Sequence, residues 1–234
     1  IKNAKPILQD IAAAEVQSPY KDQAYLTLGH IYLNEKEYKL ALTHFEKVIT
    51  DLQAPLIKAE AALHAGLAAA ALDQNDLAEK YYNITLKTPT STWTPKAHIA
   101  LLGLYYAKED YQAVLARAEA NKTRLDPAIL GQQGIIVGRS YYKLKNYADA
   151  VSFFADVEKS LPSTDEAFNA GYHKLLCYFN MGATQLPIYV DNFIANYAAG
   201  RGTHKYIHQA FLIKAEALYA AKKFKTAAKT YNQI

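Results

Sequence analysis

Apolar residues recur along this chain at the three- and four-residue spacing of amphipathic helices. Short polar segments, such as residues 34–37, 73–76 and 108–110, divide the apolar stretches into pairs. Between the pairs stand prolines, which favour the beginning or the end of a helix, at positions 55, 89, 95, 127 and 162. No segment alternates apolar and polar residues as a half-buried strand does. The pattern predicts an all-α fold built from helical hairpins.

Two of these hairpins share residue types at identical offsets. Counting from Gly29, a Tyr stands at offset 3, another at 9, an Ala at 12 and a Phe at 16; counting from Gly138, the same four types recur. Weaker copies follow Gly66 and Gly103, and degenerate copies cover the remainder. Such self-similarity is typical of stacked repeats, in which each hairpin buries its apolar face against the next.

The repeat predicts a single solenoid over residues 1–234, made of about six hairpins. Its start within a repeat suggests a fragment of a longer protein. The predicted divisions are a half repeat at 1–20 and hairpins at about 22–53, 59–88, 95–122, 129–161, 166–198 and 205–234.

The repeated residues resemble the tetratricopeptide repeat (TPR) family, whose consensus has an aromatic residue, Leu-Gly, Tyr, Tyr, Ala and Phe at these spacings. The matching residues of the first copy are Tyr25, Leu28, Gly29, Tyr32, Tyr38, Ala41 and Phe45. The resemblance implies an α-α superhelix whose concave groove is lined by the first helix of each hairpin. It also implies a non-catalytic scaffold that binds a peptide or partner protein in that groove.

Mapping the inward positions of the first helices gives the candidate partner-binding residues. They are Asn34, Lys108, Arg139, Tyr142, Lys143, Tyr172, Phe179 and Tyr219. The densest patch runs from Arg139 to Phe179 and combines aromatic and basic side chains of the kind enriched in binding hot spots. The alternative is ordinary stacking between two hairpins. The Lys/Asn/Arg set with which some family members clamp a C-terminal carboxylate is missing, and its places hold Leu26, His30, Leu63, His64 and Leu67.

Residues 192–197 and 215–219 are similar to bacterial envelope-associated members of the family, in which a Phe-x-x-x-Tyr-Pro turn precedes each hairpin. Ala198 stands where that proline is usual. This similarity favours the periplasm or cell envelope over the cytoplasm. It also leaves open a helical appendage of a larger envelope protein as an alternative to the scaffold.

Charge and hydropathy limit the classes of partner. The net charge is +4 and the two signs alternate along the chain, whereas nucleic-acid binders concentrate positive charge on one face, so we expect no nucleic acid. No run of about 18 apolar residues exists to span a membrane. Self-association is a further alternative, since the ends of the hairpin stack are uncapped.

The residue types that carry chemistry do not assemble into a known motif. His204 and His208 stand four apart, but no third ligand accompanies them at a suitable spacing, so we expect no metal. The glycines at 131, 134 and 138 lack the lysine of a phosphate-binding loop. Cys177 lies in an apolar run, which predicts a buried and inert thiol. We therefore expect no catalytic residues and no cofactor.

Overall fold

A computed structural model describes residues 4–14, 19–51, 54–88, 91–120 and 127–234. Within these ranges every regular element is helical, which confirms the predicted all-α class. None of these helices is both long and apolar enough to cross a bilayer. Outside the described residues lie Pro89, parts of the predicted half repeat (1–3 and 15–18), and the ends of two predicted hairpins (52–53 and 121–122).

The helices divide between two compact units, residues 1–108 and 109–234. The first unit contains α1 (Ala4–Ala13), α2 (Pro19–Asn34), α3 (Tyr38–Asp51), α4 (Pro55–Ala71), α5 (Asn75–Leu86) and α6 (Thr94–Ala107). The second contains α7 (Tyr111–Ala120), α8 (Pro127–Lys143), α9 (Tyr147–Ser160), α10 (Asp165–Asn180), α11 (Leu186–Tyr197), α12 (Lys205–Ala220) and α13 (Phe224–Tyr231). A single solenoid over residues 1–234 stays a prediction.

The first helix of a hairpin ends in the same hydrogen-bonded motif in several repeats. At the end of α2, the Glu37 amide donates to the Tyr32 carbonyl at 2.9 Å and the Lys36 amide donates to the Leu33 carbonyl at 3.1 Å. These two bonds satisfy carbonyls that the helix leaves without a partner. The pair recurs after α4, α8, α10 and α12. One residue of each turn adopts a left-handed backbone with positive φ: Lys36, Asp73, Lys145, Gly182 and Lys222.

A glycine in the first helix of three hairpins lets an aromatic ring lie against its backbone. A Cβ atom at Gly29 would be 2.6 Å from the ring of Phe45, which is fully buried. The same approach recurs between Gly66 and Tyr82 and between Gly138 and Phe154. Any side chain at these glycines would displace the ring, so glycine and aromatic residue form a matched pair within the hairpin.

Each unit has its own apolar core. In the first unit one continuous cluster runs from Ala12 of α1 to Leu104 of α6 and includes the buried rings of Phe45 and Tyr82. In the second unit one cluster surrounds Phe154 between α9 and α10, and another joins α10, α11 and α12. Apolar burial of this kind is the main favourable contribution to folding, at about 25 cal/mol per Å².

Candidate partner-binding site

The hairpin formed by α10 and α11 departs from the others of its unit. Its turn has five residues, 181–185, whereas the turns at 144–146 and 221–223 have three. Five residues before the end of α10 stands the buried Leu175, at the place that Gly138 occupies in α8. The ring of Tyr189 lies against that of Tyr178, with centroids 4.3 Å apart and an interplanar angle of 30°. Because large side chains separate the two helices, α10 and α11 approach each other less closely than α8 and α9 do.

A mainly apolar cleft opens beside this wide hairpin. Its volume is about 480 Å³, and it lies between the α10–α11 turn and the end of α12. Its lining residues are Phe179, Gly182, Ala183, Thr184, Leu186, Pro187, Glu216, Ala217, Leu218, Ala220, Ala221 and Lys223. Phe179 is 37% exposed and contributes an aromatic wall, while Glu216 and Lys223 supply the only charges of the lining. The cleft can therefore accommodate an apolar side chain with polar groups near its opening.

Tyr172, one of the predicted contacts, is mostly a packing residue. Its ring lies parallel to that of Tyr206, with centroids 4.0 Å apart and an interplanar angle of 6°. Only 7% of Tyr172 is exposed, and burial, followed by the nearby Tyr206 and Tyr142 hydroxyls, raises the pKa of its phenol. Tyr172 therefore offers little surface to a partner and instead holds α10 against α12.

Two other predicted contacts, Arg139 and Tyr142, are half-buried on α8. The Tyr142 hydroxyl accepts a hydrogen bond from the Asn180 side-chain amide at 3.1 Å, which ties the end of α8 to the end of α10. Burial lowers the pKa of His173 on α10, and the positive charge of Arg139 lowers it further. The structure thus brings Arg139 and Tyr142 together with Tyr172, while Lys143 is exposed at the end of α8.

The remaining predicted contacts lie apart from this group. Tyr219, on α12, is 60% exposed and packs edge-on against Phe224 at 5.1 Å. Asn34 is exposed at the end of α2 in the first unit. Lys108 follows α6, and its ammonium lies 3.1 Å from Asp76 and 3.6 Å from Glu79. The hydrogen bond to Asp76 raises the pKa of Lys108, so its charge already has partners within the first unit.

The sequence pattern did not reveal the cleft. Its walls come partly from the turn, where Gly182 has a φ of 66° and Pro187 opens α11. A signal was present, because the aromatic residue at offset 16 in other repeats stands at offset 18 from Leu175, at Phe193. A shift of two residues indicates a lengthened turn. Leu186 and Lys223 also line the cleft, but they were not among the predicted inward positions of the first helices.

The two histidines considered in the sequence, His204 and His208, differ in their surroundings. His204 lies just outside α12, where its Nδ1 accepts a hydrogen bond from the Tyr206 amide at 3.1 Å. Its ring contacts Phe168 edge-on at 4.8 Å. His204 therefore caps the helix, and only His208 is within it.

The structure also contains a cluster of three residues that could hold a metal ion, although the sequence led us to expect none. His30 of α2 meets Glu60 and His64 of α4, with one ligand atom from each residue within 4.8 Å of the others. The sequence separates His30 from Glu60 by a whole hairpin, so only the stacking of α2 on α4 brings them together. Glu60 and His64, four residues apart on one helix, were the available signal.

No family model matches the chain, and no curated protein matches it either. Several solved structures, however, are similar to this chain. The C-terminal part of a TPR repeat-containing protein from Cytophaga hutchinsonii is 19% identical, covers 98% of this chain and 88% of its own, and has a TM-score of 0.78. The apo quorum sensor NprR from B. thuringiensis is 13% identical over 99% and 80%, with a TM-score of 0.63.

NprR in complex with its cognate peptide NprX is also similar, at 16% identity over 99% of this chain and 68% of that one, with a TM-score of 0.50. At these identities the likeness establishes the fold, whereas the similarity to envelope-associated members stays a prediction. The repeat offsets, the glycine–aromatic pairs and the structural likeness agree. The chain has the tetratricopeptide-repeat fold.

Proposed function

We propose that this chain is a non-catalytic scaffold that binds a protein or peptide, and that the cleft beside Phe179 receives an apolar side chain of that partner. The observation that carries the proposal is the cleft itself, about 480 Å³ with mainly apolar walls. Phe179 belongs to the predicted inward positions and also lines the cleft, so the cleft adjoins the proposed groove. A pocket of this kind is the usual seat of an interface anchor.

Positively charged side chains near the cleft indicate a second property of the partner, in addition to its apolar side chain. Arg139 and Lys143 lie on α8, and Lys223 lies at the cleft, where Glu216 is the one opposing charge of the lining. Since charge complementarity sets orientation and specificity more than affinity, we propose a partner segment with an acidic residue beside its apolar anchor. Tyr142 and Tyr219 would add aromatic contacts, with Tyr172 as support behind them.

The fold supports this proposal. NprR, which shares it, has been solved in complex with a peptide. Stacked hairpins present a surface that exists before the partner arrives, so binding costs little conformational entropy. Asn34 and Lys108 stay proposed contacts of the first unit, where the ion pairs of Lys108 would have to rearrange.

A random peptide library selected on the immobilised chain tests the proposal. Affinities of the selected peptides are then measured by fluorescence anisotropy for the wild type, for Phe179→Ala and for the double variant Arg139→Ala/Tyr142→Ala. We expect each variant to weaken binding by about tenfold or more, as the loss of a hot spot does. The selected peptides should share an apolar residue flanked by an acidic one.

Ile188→Ala is the matched control, because Ile188 is an exposed apolar residue of the same hairpin that does not line the cleft. Its affinity should equal that of the wild type. Equal binding by wild type and Phe179→Ala would remove the cleft from the proposal, and equal loss in Ile188→Ala would show that the hairpin was merely disturbed.

The rival role in self-association has one specific observation in its favour. Tyr231 of α13 is 40% exposed, although Phe154 at the corresponding place of α9 is fully buried. Phe224 on the same helix is also exposed. If this aromatic face binds a second copy, light scattering should show a mass that rises with concentration, and Tyr231→Ser should abolish the rise. A constant monomer mass would exclude self-association.

A further inference from the structure

Three potential metal ligands meet between α2 and α4 in the first unit. The Nε2 atom of His30 lies 3.1 Å from Oε1 of Glu60, and the rings of His30 and His64 are 4.4 Å apart. Zn²⁺ at about 2.1 Å from each of its tetrahedral ligands holds neighbouring ligand atoms about 3.4 Å apart. The observed distance is close to that value, and the three ligand atoms all lie within 4.8 Å of one another.

The tautomer of His64 suits a ligand. Its Nδ1 atom lies 2.9 Å from the backbone carbonyl of Glu60, and because a carbonyl can only accept, Nδ1 carries the proton. The lone pair is therefore on Nε2. A ligating histidine typically has this arrangement, with the second nitrogen donating to a backbone carbonyl that fixes the ring.

Aromatic packing fixes both imidazoles before any ion arrives. The ring of Phe45 contacts His30 edge-on at 5.3 Å and stacks on His64 at 5.7 Å, while Trp93 contacts His64 at 5.3 Å. Since these neighbours are held in the core, little side-chain entropy would be lost on binding. The residues remain partly accessible, so an ion can reach them.

The charges around the cluster are also compatible with a cation. The carboxylate of Glu60 supplies one negative charge. Lys96 opposes the cation, but its ammonium lies over the Trp93 ring at 4.6 Å.

We propose that His30, Glu60 and His64 bind one divalent transition-metal ion of the Zn²⁺ class. Two imidazoles and one carboxylate favour a borderline ion such as Zn²⁺ or Co²⁺ over Mg²⁺ or Ca²⁺, which prefer oxygen ligands. Three protein ligands leave a fourth position for water or for a donor from a bound molecule. The site lies in the first unit and is independent of the cleft in the second.

The single tryptophan makes the proposal directly measurable. Co²⁺ is paramagnetic and quenches a nearby indole, and Trp93 lies against the His64 ring. CoCl₂ added to the chain, purified without a histidine tag and treated with chelator, should quench Trp93 fluorescence saturably at one ion per chain. ZnCl₂ should reverse the quenching, and calorimetry should give the same stoichiometry for Zn²⁺.

Variants assign the binding to the cluster. Glu60→Gln, which keeps the size of the side chain, and His64→Gln should each weaken Zn²⁺ affinity by at least about tenfold, since even partners of metal ligands have effects of that size. Far-ultraviolet circular dichroism confirms that each variant is folded. If His64→Gln does not fold, Glu60→Gln still decides the question.

His44→Gln is the matched control. His44 also sits within a helix and pairs its Nδ1 with a backbone carbonyl four residues earlier, at 2.7 Å, but lies outside the cluster. Its affinity for Zn²⁺ should equal that of the wild type. Unsaturable quenching, or equal Zn²⁺ affinity in the wild type and Glu60→Gln, would overturn the proposal; so would an equal loss in His44→Gln.

Discussion

The hairpins α8–α9 and α10–α11 lie side by side in one unit, yet different contacts hold the two helices of each hairpin together. In α8–α9, Gly138 allows the ring of Phe154 to lie directly against the helix backbone. In α10–α11, Leu175 fills that place, and the close approach moves one helical turn earlier. There, a Cβ atom at Gly171 would lie 3.1 Å from the ring of Phe193.

The difference shows that the consensus residues of a repeat are matched pairs rather than independent preferences. The loss of the small residue at this place is compensated by Leu175 in the core, by the contact between the rings of Tyr178 and Tyr189, and by a longer turn. The consequence is a wider hairpin with a cleft beside it. The hairpin that departs from the pattern is therefore the one that borders the candidate partner-binding cleft.

Among the substitutions that test this comparison, Leu175→Gly should change the free energy of unfolding most. Truncating a buried Leu to Ala costs about 2–5 kcal/mol, and Gly in a helix interior costs about 1 kcal/mol more. We expect the free energy of unfolding to fall by about 3–6 kcal/mol, measured by urea denaturation with circular dichroism, and Leu175→Ala separates the two contributions. A cost below about 2 kcal/mol would mean that Phe193 moves into the space, so that the two hairpins are interchangeable.

Gly138→Ala and Gly171→Ala should differ. At Gly138 the new Cβ would lie 2.6 Å from the buried ring of Phe154. Overpacking of about 3 kcal/mol, less about 1 kcal/mol of gained helix propensity, predicts a net loss of about 2 kcal/mol. At Gly171 the new Cβ would lie 2.8 Å from the end of the Glu158 side chain and 3.1 Å from the ring of Phe193, which is a looser approach, so we expect a smaller loss. Similar unfolding free energies for the two variants would contradict the matched-pair interpretation.

The thiol of Cys177, in the first helix of the wider hairpin, reports how easily α10 separates from α9, because it is buried in the cluster around Phe154. Cys177 is fully buried, and burial raises its pKa to about 12, so reaction with a chromogenic disulfide reagent requires local opening. Ser140, also fully buried, stands at the corresponding place of α8. We expect the native thiol to react about tenfold faster than that of a Ser140→Cys/Cys177→Ser variant, a difference of about 1.4 kcal/mol in opening free energy. Equal rates would show that the first helix of the wider hairpin separates from its neighbours no more easily than α8 does.

Substitutions in the turns should have the smallest effects. Gly182 and Lys145 have φ angles of 66° and 60°, in the left-handed region that disfavours side chains. Gly182→Ala should lower the free energy of unfolding by about 1 kcal/mol. Lys145→Gly should raise it by about 0.5 kcal/mol, because glycine adopts this conformation freely. Thermal unfolding of both variants tests these two expectations. A Gly182→Ala variant that is more stable than the wild type would contradict the proposed cost of a side chain in the left-handed region.

Sequence spacing predicted the fold because the offsets from Gly29 and Gly138 record contacts within one hairpin. Such contacts are local, and residue type at fixed spacing determines them. The offsets around Leu175 were harder to recognise, since the lengthened turn displaces every later position of that hairpin by two. The sequence indicated a degenerate copy in this region, but not the residues that compensate for its departures.

The candidate sites depend on contacts between hairpins, which spacing does not encode. The patch from Arg139 to Phe179 stays a prediction, and the burial of Tyr172 became visible only when Tyr206 of α12 was placed against it. The metal-ligand cluster likewise requires α2 to stack on α4. Which face of a helix remains accessible is a property of the stack rather than of the repeat.

The hydrogen bonds that end α10 also indicate where residues can be inserted into such a chain. The Gly182 and Ala183 amides complete the helix end as their counterparts do in the three-residue turns, and the two extra residues enter only afterwards. A segment inserted at that point need not unwind the preceding helix. Equivalent insertion points follow Glu37, Gln74, Asn146 and Lys223. Grafting a recognition loop there would diversify the surface of the stack while its hairpins keep their packing.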